Sequence, residues 1–140
     1  MNDRGGDEAR VRNAECRCGL VKAECVGEPV RVSVCHCLAC KRRTGSAFSA
    51  QARFPSEDVT ITGEVKTFER LGDSGAKLTD WFCPACGSTI AYKIDGYDAV
   101  AIPLGAFADP AFSPAPSFSV YEERMHDWVV ILGAGVEHMD

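Results

Sequence analysis

The most constraining feature of this 140-residue chain is the placement of its eight cysteines. They form four groups along the sequence: Cys16 with Cys18, Cys25 alone, Cys35 with Cys37 and Cys40, and Cys83 with Cys86. The first ten residues, MNDRGGDEAR, are polar and contain no apolar signal-peptide core, so we expect a cytoplasmic protein. Because thiols stay reduced in that compartment, the grouped cysteines indicate metal ligation or thiol chemistry more strongly than disulfide bonds.

The segment FCPACGS at 82–88 contains the C-P-x-C-G pattern of a zinc knuckle. A tight turn brings the sulfurs of Cys83 and Cys86 to one metal ion, and Gly87 permits the positive φ that such a turn often needs. A redox C-x-x-C is the alternative, but that motif opens a helix, whereas strand-like segments flank this one on both sides. The pattern therefore favours two zinc ligands.

A closed structural zinc site has four ligands, so the knuckle needs a second pair. Cys16 and Cys18 can supply it, because side chains at i and i+2 of an extended strand point to the same face. Adding the three cysteines at 35–40 to the knuckle pair would instead make five ligands. The sequence therefore predicts a structural site whose ligands are Cys16, Cys18, Cys83 and Cys86.

Cys35, Cys37 and Cys40 then remain as a separate C-x-C-x-x-C group, named here the cysteine trio. Three protein ligands with one vacancy are typical of catalytic zinc, where water or substrate takes the fourth position. Two alternatives stay open: Cys25 closes the site as a fourth ligand, or two cysteines of the trio form a disulfide on oxidation. Cys25 is otherwise expected to be a small buried hydrophobe. Strand alternation turns His36 away from the sulfurs, so we expect it to pack or to form hydrogen bonds.

Short strand-like segments separated by Gly, Pro and Asp predict a mainly β fold in one domain. One helical turn is expected at LACKRRTG, closed by Gly45, and a second near ADPAF. We predict a disordered N-terminal lead over 1–12, a zinc-binding β domain over 13–135 and a C-terminal tail over 136–140. No segment approaches the ~18 consecutive apolar residues that a membrane-spanning helix needs. The strand-like segments are GLVKAECVG, PVRVSVCHC, SAFSAQARF, DVTITG, VKTFERL, KLTDWFC, STIAYKI, DAVAIPLGAF and SFSVYEE.

The formal net charge of −5 argues against nucleic acid or an anionic membrane as the main partner. A local basic run, Lys41 to Arg43, nevertheless follows the trio directly. These side chains are either exposed to solvent or bind an anionic substrate. The candidate substrate-binding residues are Lys41, Arg42, Arg43, Thr44 and Ser46, the last two through their hydroxyl and backbone N–H groups.

Four motifs, in order, resemble one known family: CRCGLVKAEC, VCHCLACKRRTGSAF, FCPACGSTI and VAIPLGAFADP. The similarity is to the glutathione-dependent formaldehyde-activating enzymes, whose relatives include centromere protein V, and it runs from about Glu15 to Trp128. It implies a single zinc-stabilised β domain of short antiparallel strands, sometimes called a β-tent. It also implies a structural zinc on Cys16, Cys18, Cys83 and Cys86 and a catalytic zinc on Cys35, Cys37 and Cys40.

The resemblance further implies a carbon–sulfur lyase. In the named activity, glutathione and formaldehyde combine to S-(hydroxymethyl)glutathione, which is the lyase reaction in reverse. The expected partners are therefore a small thiol such as glutathione and an aldehyde. Two other classes of function are kept as alternatives: a zinc-stabilised, non-catalytic binding module, and a carrier of glutathione or another thiol, or a redox sensor.

Overall fold

The computed structural model describes residues 10–72 and 74–140. In this part of the chain there are eleven strands, one α-helix and three single-turn 3-10 helices. The strands are β1 Val11–Glu15, β2 Lys22–Val26, β3 Arg31–Cys35, β4 Ser49–Pro55, β5 Val59–Thr62, β6 Lys66–Leu71, β7 Lys77–Phe82, β8 Thr89–Ile94, β9 Ala99–Pro103, β10 Phe118–Val120 and β11 Glu137–His138. The helix is α1 Leu38–Thr44, and the 3-10 turns are Ser56–Asp58, Leu104–Ala106 and Glu122–Arg124.

The predicted mainly β fold is confirmed, and each of the nine strand-like segments coincides with one of the strands β2 to β10, β4 extending one residue beyond its segment. The two outermost strands were not expected. β1 begins at Val11, so residues 11–12 of the predicted lead are paired backbone, whereas residues 1–9 lie outside the described part. β11 lies within the predicted tail over 136–140. Paired backbone therefore extends beyond the predicted domain bounds at both ends.

The strands form two sheets, one with the order β1-β2-β5 and one with the order β11-β10-β3-β4-β9-β8-β7-β6. Most neighbours are antiparallel, as predicted. β10, however, runs parallel to both β3 and β11, so the expectation of antiparallel strands is wrong at this edge. The reason is the long connection over residues 104–117, which returns the chain beside β3 without the hairpin that imposes antiparallel pairing.

The two sheets share one hydrophobic core. Phe54, Ile90 and Ile102 of the large sheet are fully buried, and Ala23 and Cys25 of the small sheet pack into the same cluster. Burial of apolar area from both sheets makes them one folding unit. No helix in the described ranges is long and apolar enough to cross a membrane.

The helix predicted at LACKRRTG is present as α1. Cys37 is its N-cap, and Gly45 ends it with a φ of 68° and an N–H that donates to the carbonyl of Lys41 at 2.7 Å. The second predicted helix, near ADPAF, is wrong. Asp109 closes a single turn there, because its carboxylate accepts from the backbone N–H of Ala111 at 2.9 Å and its carbonyl from that of Phe112 at 3.0 Å.

Candidate metal centre and active site

The four cysteines predicted to share a structural site lie together and are named here the four-cysteine cluster. Their Sγ atoms are all within 4.8 Å of one another, and Cys18 Sγ is 3.7 Å from the Sγ atoms of both Cys16 and Cys83. A tetrahedral ion with metal–sulfur bonds of about 2.3 Å requires sulfur–sulfur distances of about 3.8 Å. The cluster, which Cys86 completes, can therefore hold a metal ion.

Two tight turns bring these sulfurs together. Cys83 and Cys86 lie between β7 and β8, where Gly87 has a φ of 80°. Cys16 and Cys18 lie after the end of β1 in a turn, not on the extended strand that the sequence suggested. In that turn, the N–H of Gly19 donates to the carbonyl of Cys16 at 3.0 Å, so the backbone curls to aim both sulfurs at one point.

Backbone and side-chain donors prepare these sulfurs for a cation. The N–H of Val21 donates to Cys16 Sγ at 3.3 Å, and the N–H of Ala85 donates to Cys83 Sγ at 3.4 Å. Hydrogen bonding from the Ser88 hydroxyl and backbone lowers the pKa of Cys86 to about 5. Because the thiolate is the form that ligates metal, these contacts favour ion binding.

The cysteine trio forms a second cluster around the start of α1. Cys35 ends β3, Cys37 caps α1 and Cys40 lies in its first turn, and all three Sγ atoms lie within 4.8 Å of one another. The N–H of Cys40 donates to Cys37 Sγ at 3.3 Å. Hydrogen bonds from the Cys35 and Cys40 thiols lower the pKa of Cys37. Three buried sulfurs of this kind can hold a soft metal ion.

Among the described residues, neither Cys25 nor His36 belongs to the four-cysteine cluster or to the cysteine trio. Cys25 is fully buried in the core, where burial raises its pKa to about 12, so the alternative in which it closes the trio's site is not supported. His36 is also fully buried, and its Nε2 lies 3.0 Å from the hydroxyl of Ser119. This is the hydrogen-bonding role expected for His36, and the ring packs at 5.8 Å from that of Phe48.

A cavity of about 130 Å³ opens at the trio. All three sulfur-bearing residues line it, together with four arginines and, among the described residues, one carboxylate. The guanidinium groups come from four different strands or helices, so the positive charge surrounds the cavity. Its charged lining residues are Arg31, Arg43, Arg53, Arg70 and Asp80.

Comparison with known proteins identifies the family to which this arrangement belongs. The sequence profile of the glutathione-dependent formaldehyde-activating enzymes matches residues 11–124. The chain is a member of that family. A solved Rhodobacter sphaeroides protein, a Northeast Structural Genomics target, shares its fold with a TM-score of 0.54 and 20% identity over 71% of this chain and 92% of that chain. None of the curated proteins matches the chain significantly.

In this family member, the predicted basic run divides between two environments. Arg43 lines the cavity, and its guanidinium carbon lies 4.9 Å from the ring centroid of Tyr92. Lys41 is directed elsewhere, because its Nζ donates to the backbone carbonyl of Arg124. Arg42 is exposed and lies outside the cavity lining. Of the three basic residues, only Arg43 is placed to meet a ligand beside the trio.

Thr44 and Ser46 do not line the cavity either. The hydroxyl of Thr44 donates to the carbonyl of Cys40 at 2.9 Å and accepts from the N–H of Ser46 at 3.1 Å. The hydroxyl of Thr44 thus bonds within α1 and also accepts the backbone N–H of Ser46 just beyond the carboxyl end of the helix. Their position explains why polar residues follow the helix without a role in the cavity.

The remaining charged residues of the cavity were not found from the sequence. Strand alternation could have indicated Arg31, because it shares a face of β3 with Cys35. Arg70, Asp80 and Tyr92 come from β6, β7 and β8, and only the register of those strands brings them to the trio. Asp80 is 8% exposed; burial raises its pKa, while Arg43 and Arg70 oppose the rise.

Proposed function

We propose that this protein is a zinc-dependent carbon–sulfur lyase acting on adducts of glutathione, or a related thiol, with formaldehyde or another aldehyde. One observation carries the proposal: three buried sulfurs open onto a cavity whose described charged residues are four arginines and one aspartate. Glutathione carries two carboxylates, which complement that positive charge. Membership of the formaldehyde-activating family supports the choice of thiol and aldehyde.

The residues fit two zinc ions of different character. The four-cysteine cluster would hold a structural ion with all four positions filled by protein. Cys35, Cys37 and Cys40 would hold the other, and with one position open that ion would favour the thiolate of a substrate or polarise a carbonyl oxygen. The open position would face the cavity, which all three trio residues line.

The chemistry requires the transfer of one proton. In adduct formation, the thiol loses its proton, its sulfur bonds to the carbonyl carbon, and the carbonyl oxygen gains a proton to become a hydroxyl. Cleavage breaks the same carbon–sulfur bond and returns the proton to sulfur. Asp80 is the carboxylate of the described cavity lining that can hold this proton, and burial raises its pKa in the direction that favours the protonated form. Arg43 orients the anionic thiol.

A reducing compartment such as the cytoplasm suits this function. All eight cysteines are unpaired, and thiols persist where glutathione keeps them reduced. Glutathione is also abundant under those conditions. The proposed location therefore agrees with both the metal ligands and the substrate.

Two measurements on freshly purified, reduced protein test the proposal. Elemental analysis counts zinc per chain, and release of formaldehyde from S-(hydroxymethyl)glutathione measures lyase turnover. Two zinc ions per chain with turnover support it. One zinc ion without turnover contradicts it and favours a binding module, whereas bound glutathione without turnover contradicts it and favours a thiol carrier.

A further inference from the structure

Two arginines face each other across the strands that lead to the trio. The register of β3 and β4 pairs Arg31 with Arg53, whereas Cys35 lies at the other end of β3, opposite Ser49. Arg31 and Arg53 both line the cavity. The cavity therefore has sulfur at one end of this strand pair and positive charge at the other.

Like charges directly opposite on neighbouring strands are destabilising, so this arrangement requires an explanation. In the described part of the chain, neither guanidinium forms an ion pair with a carboxylate. The Nε atom of Arg31 is buried and has no hydrogen-bond partner. The ring of Phe118 covers the same guanidinium at 4.0 Å and holds it in place without satisfying its N–H groups. Burial and the nearby Arg53 lower the pKa of Arg31, and Tyr97, Tyr92 and Glu137 oppose this fall only in part.

The polar side chains between the two ends of this strand pair have hydrogen-bond partners. Gln51 Nε2 donates to the carbonyl of Ser33 at 3.1 Å and to its hydroxyl at 2.9 Å, and the hydroxyl of Ser49 donates to Gln51 Oε1 at 2.9 Å. This polar floor is satisfied by its own hydrogen bonds. The unsatisfied donor on the strand pair is therefore that of Arg31, whereas the Arg53 side chain is hydrogen-bonded to Tyr92.

The distance between the two ends sets the size of a ligand that could reach both. Arg31 and Cys35 are four residues apart on β3, which corresponds to about 13 Å along the strand. In glutathione the thiol is on the central residue, so its sulfur lies closer to either terminal carboxylate than the roughly 10–11 Å between the ends of a three-residue chain. The long side chains of Arg31 and Arg53, which both line the cavity, would have to cover the rest of the distance to a carboxylate of a thiol bound at the trio.

We propose that Arg31 and Arg53 form a carboxylate-binding subsite for anionic thiols whose sulfur lies at the trio. The proposal rests on the proposed function for the sulfur end of the ligand, and it adds the residues that recognise the other end. A carboxylate bound between two guanidinium groups accepts several charge-assisted hydrogen bonds and removes the repulsion between them.

Isothermal titration with S-methylglutathione and its diethyl ester tests the subsite, because neither compound has a free thiol. We expect wild-type protein to bind the diacid at least about tenfold more tightly than the ester. In the variant Arg31→Gln/Arg53→Gln, this preference should fall about tenfold. Arg53→Lys keeps the positive charge but loses the planar guanidinium that binds a carboxylate through two hydrogen bonds. It should therefore show an intermediate preference for the diacid. This variant provides the test if the double variant does not fold.

Arg42→Gln is the matched control, because Arg42 is exposed and lies outside the cavity lining. It should keep the wild-type preference for the diacid. Equal affinity of the wild type for diacid and ester would overturn the subsite, as would an unchanged preference in both cavity variants. If the diacid preference depends on Arg31 and Arg53 but S-(hydroxymethyl)glutathione is not cleaved, the proposed function fails and the subsite stands.

Discussion

The Sγ atoms of Cys18 and Cys83 lie 3.7 Å apart, although 65 residues separate them in the chain. A metal ion between them would join the turn after β1 to the turn between β7 and β8, and so the small sheet to the large one. Closing so long a loop is costly in chain entropy, and ligands rarely preassemble in an unfolded chain. The free energy of metal binding at this cluster would therefore be part of the free energy of folding.

Replacing Cys83 by Ser is thus expected to prevent folding. Structural zinc sites contribute about 10–16 kcal/mol in small zinc domains, which is as large as the whole stability of an ordinary domain. The measurement is thermal unfolding followed by circular dichroism, with zinc content determined on the same sample. Cys25→Ala is the control, since Cys25 is buried outside both clusters and its variant should keep a cooperative transition. A folded Cys83→Ser protein would contradict a structural role.

Replacing Cys40 by Ser should instead remove one zinc ion and leave the fold in place. Cys40 belongs to the trio, which packs as a small cluster separate from the main core. We expect lyase turnover to fall by more than about 100-fold. Mutating a residue that only hydrogen-bonds to a metal ligand costs up to about 100-fold in activity, and removal of the ligand itself should cost more. Elemental analysis, circular dichroism and turnover are compared with Cys25→Ala. Global unfolding, or full turnover with one zinc ion lost, would refute the assignment of the trio as the catalytic site.

Arg43→Gln should weaken substrate binding, whereas Arg42→Gln should not. The two residues are neighbours on α1, but only Arg43 lines the cavity. Loss of one charged hydrogen bond raises KM by roughly tenfold or more. Steady-state kinetics with the thiol varied provides the measurement. Equal changes in the two variants would mean that the basic run acts through general surface charge.

Asp80→Asn should lower turnover and raise stability at neutral pH. Burial raises the pKa of Asp80 in the folded state, so stability decreases as the pH rises from the ordinary carboxyl range through that raised pKa. Asparagine resembles the neutral acid, so the variant avoids this loss of stability. It cannot donate or accept the transferred proton, however, and general acid–base groups contribute about 100-fold to 10,000-fold in rate.

The pH profile separates the chemical role of Asp80 from its structural role. In wild-type protein we expect an acidic limb that reports the raised pKa of Asp80, and in Asp80→Asn this limb should disappear. The exposed Asp98→Asn is the control and should leave both the profile and the melting temperature unchanged. An Asp80→Asn variant with a wild-type profile would exclude the proton-transfer role.

Much of the architecture was accessible from local patterns. The nine strand-like segments and α1 were found because alternation, β-branched residues and an αL glycine act within a few residues of each other. β1 was missed because its residues, VRNAE, have little β character of their own. They become a strand because β2 offers them a complete ladder of backbone partners, which no local pattern reports.

The two cysteine clusters also followed from counting, because a tetrahedral site has four ligands and spacing limits which sulfurs can meet. Cys16 and Cys18 reach their partners by a turn rather than by a strand, yet the grouping is the one expected. The cavity is different. Arg31 faces Arg53 through the β3–β4 register, and Asp80 meets Tyr92 through the β7–β8 register.

The sequence by itself determined the class of fold and which sulfurs group together, since both depend on short-range spacing and ligand number. The tertiary structure alone decided which charges surround the trio. Lys41 and Arg42, adjacent to the trio in sequence, do not line the cavity, whereas Arg53, Arg70 and Asp80, distant in sequence, do. The reason is physical: strand register and sheet order are set by burial over the whole core, so no local pattern encodes which side chains share a cavity.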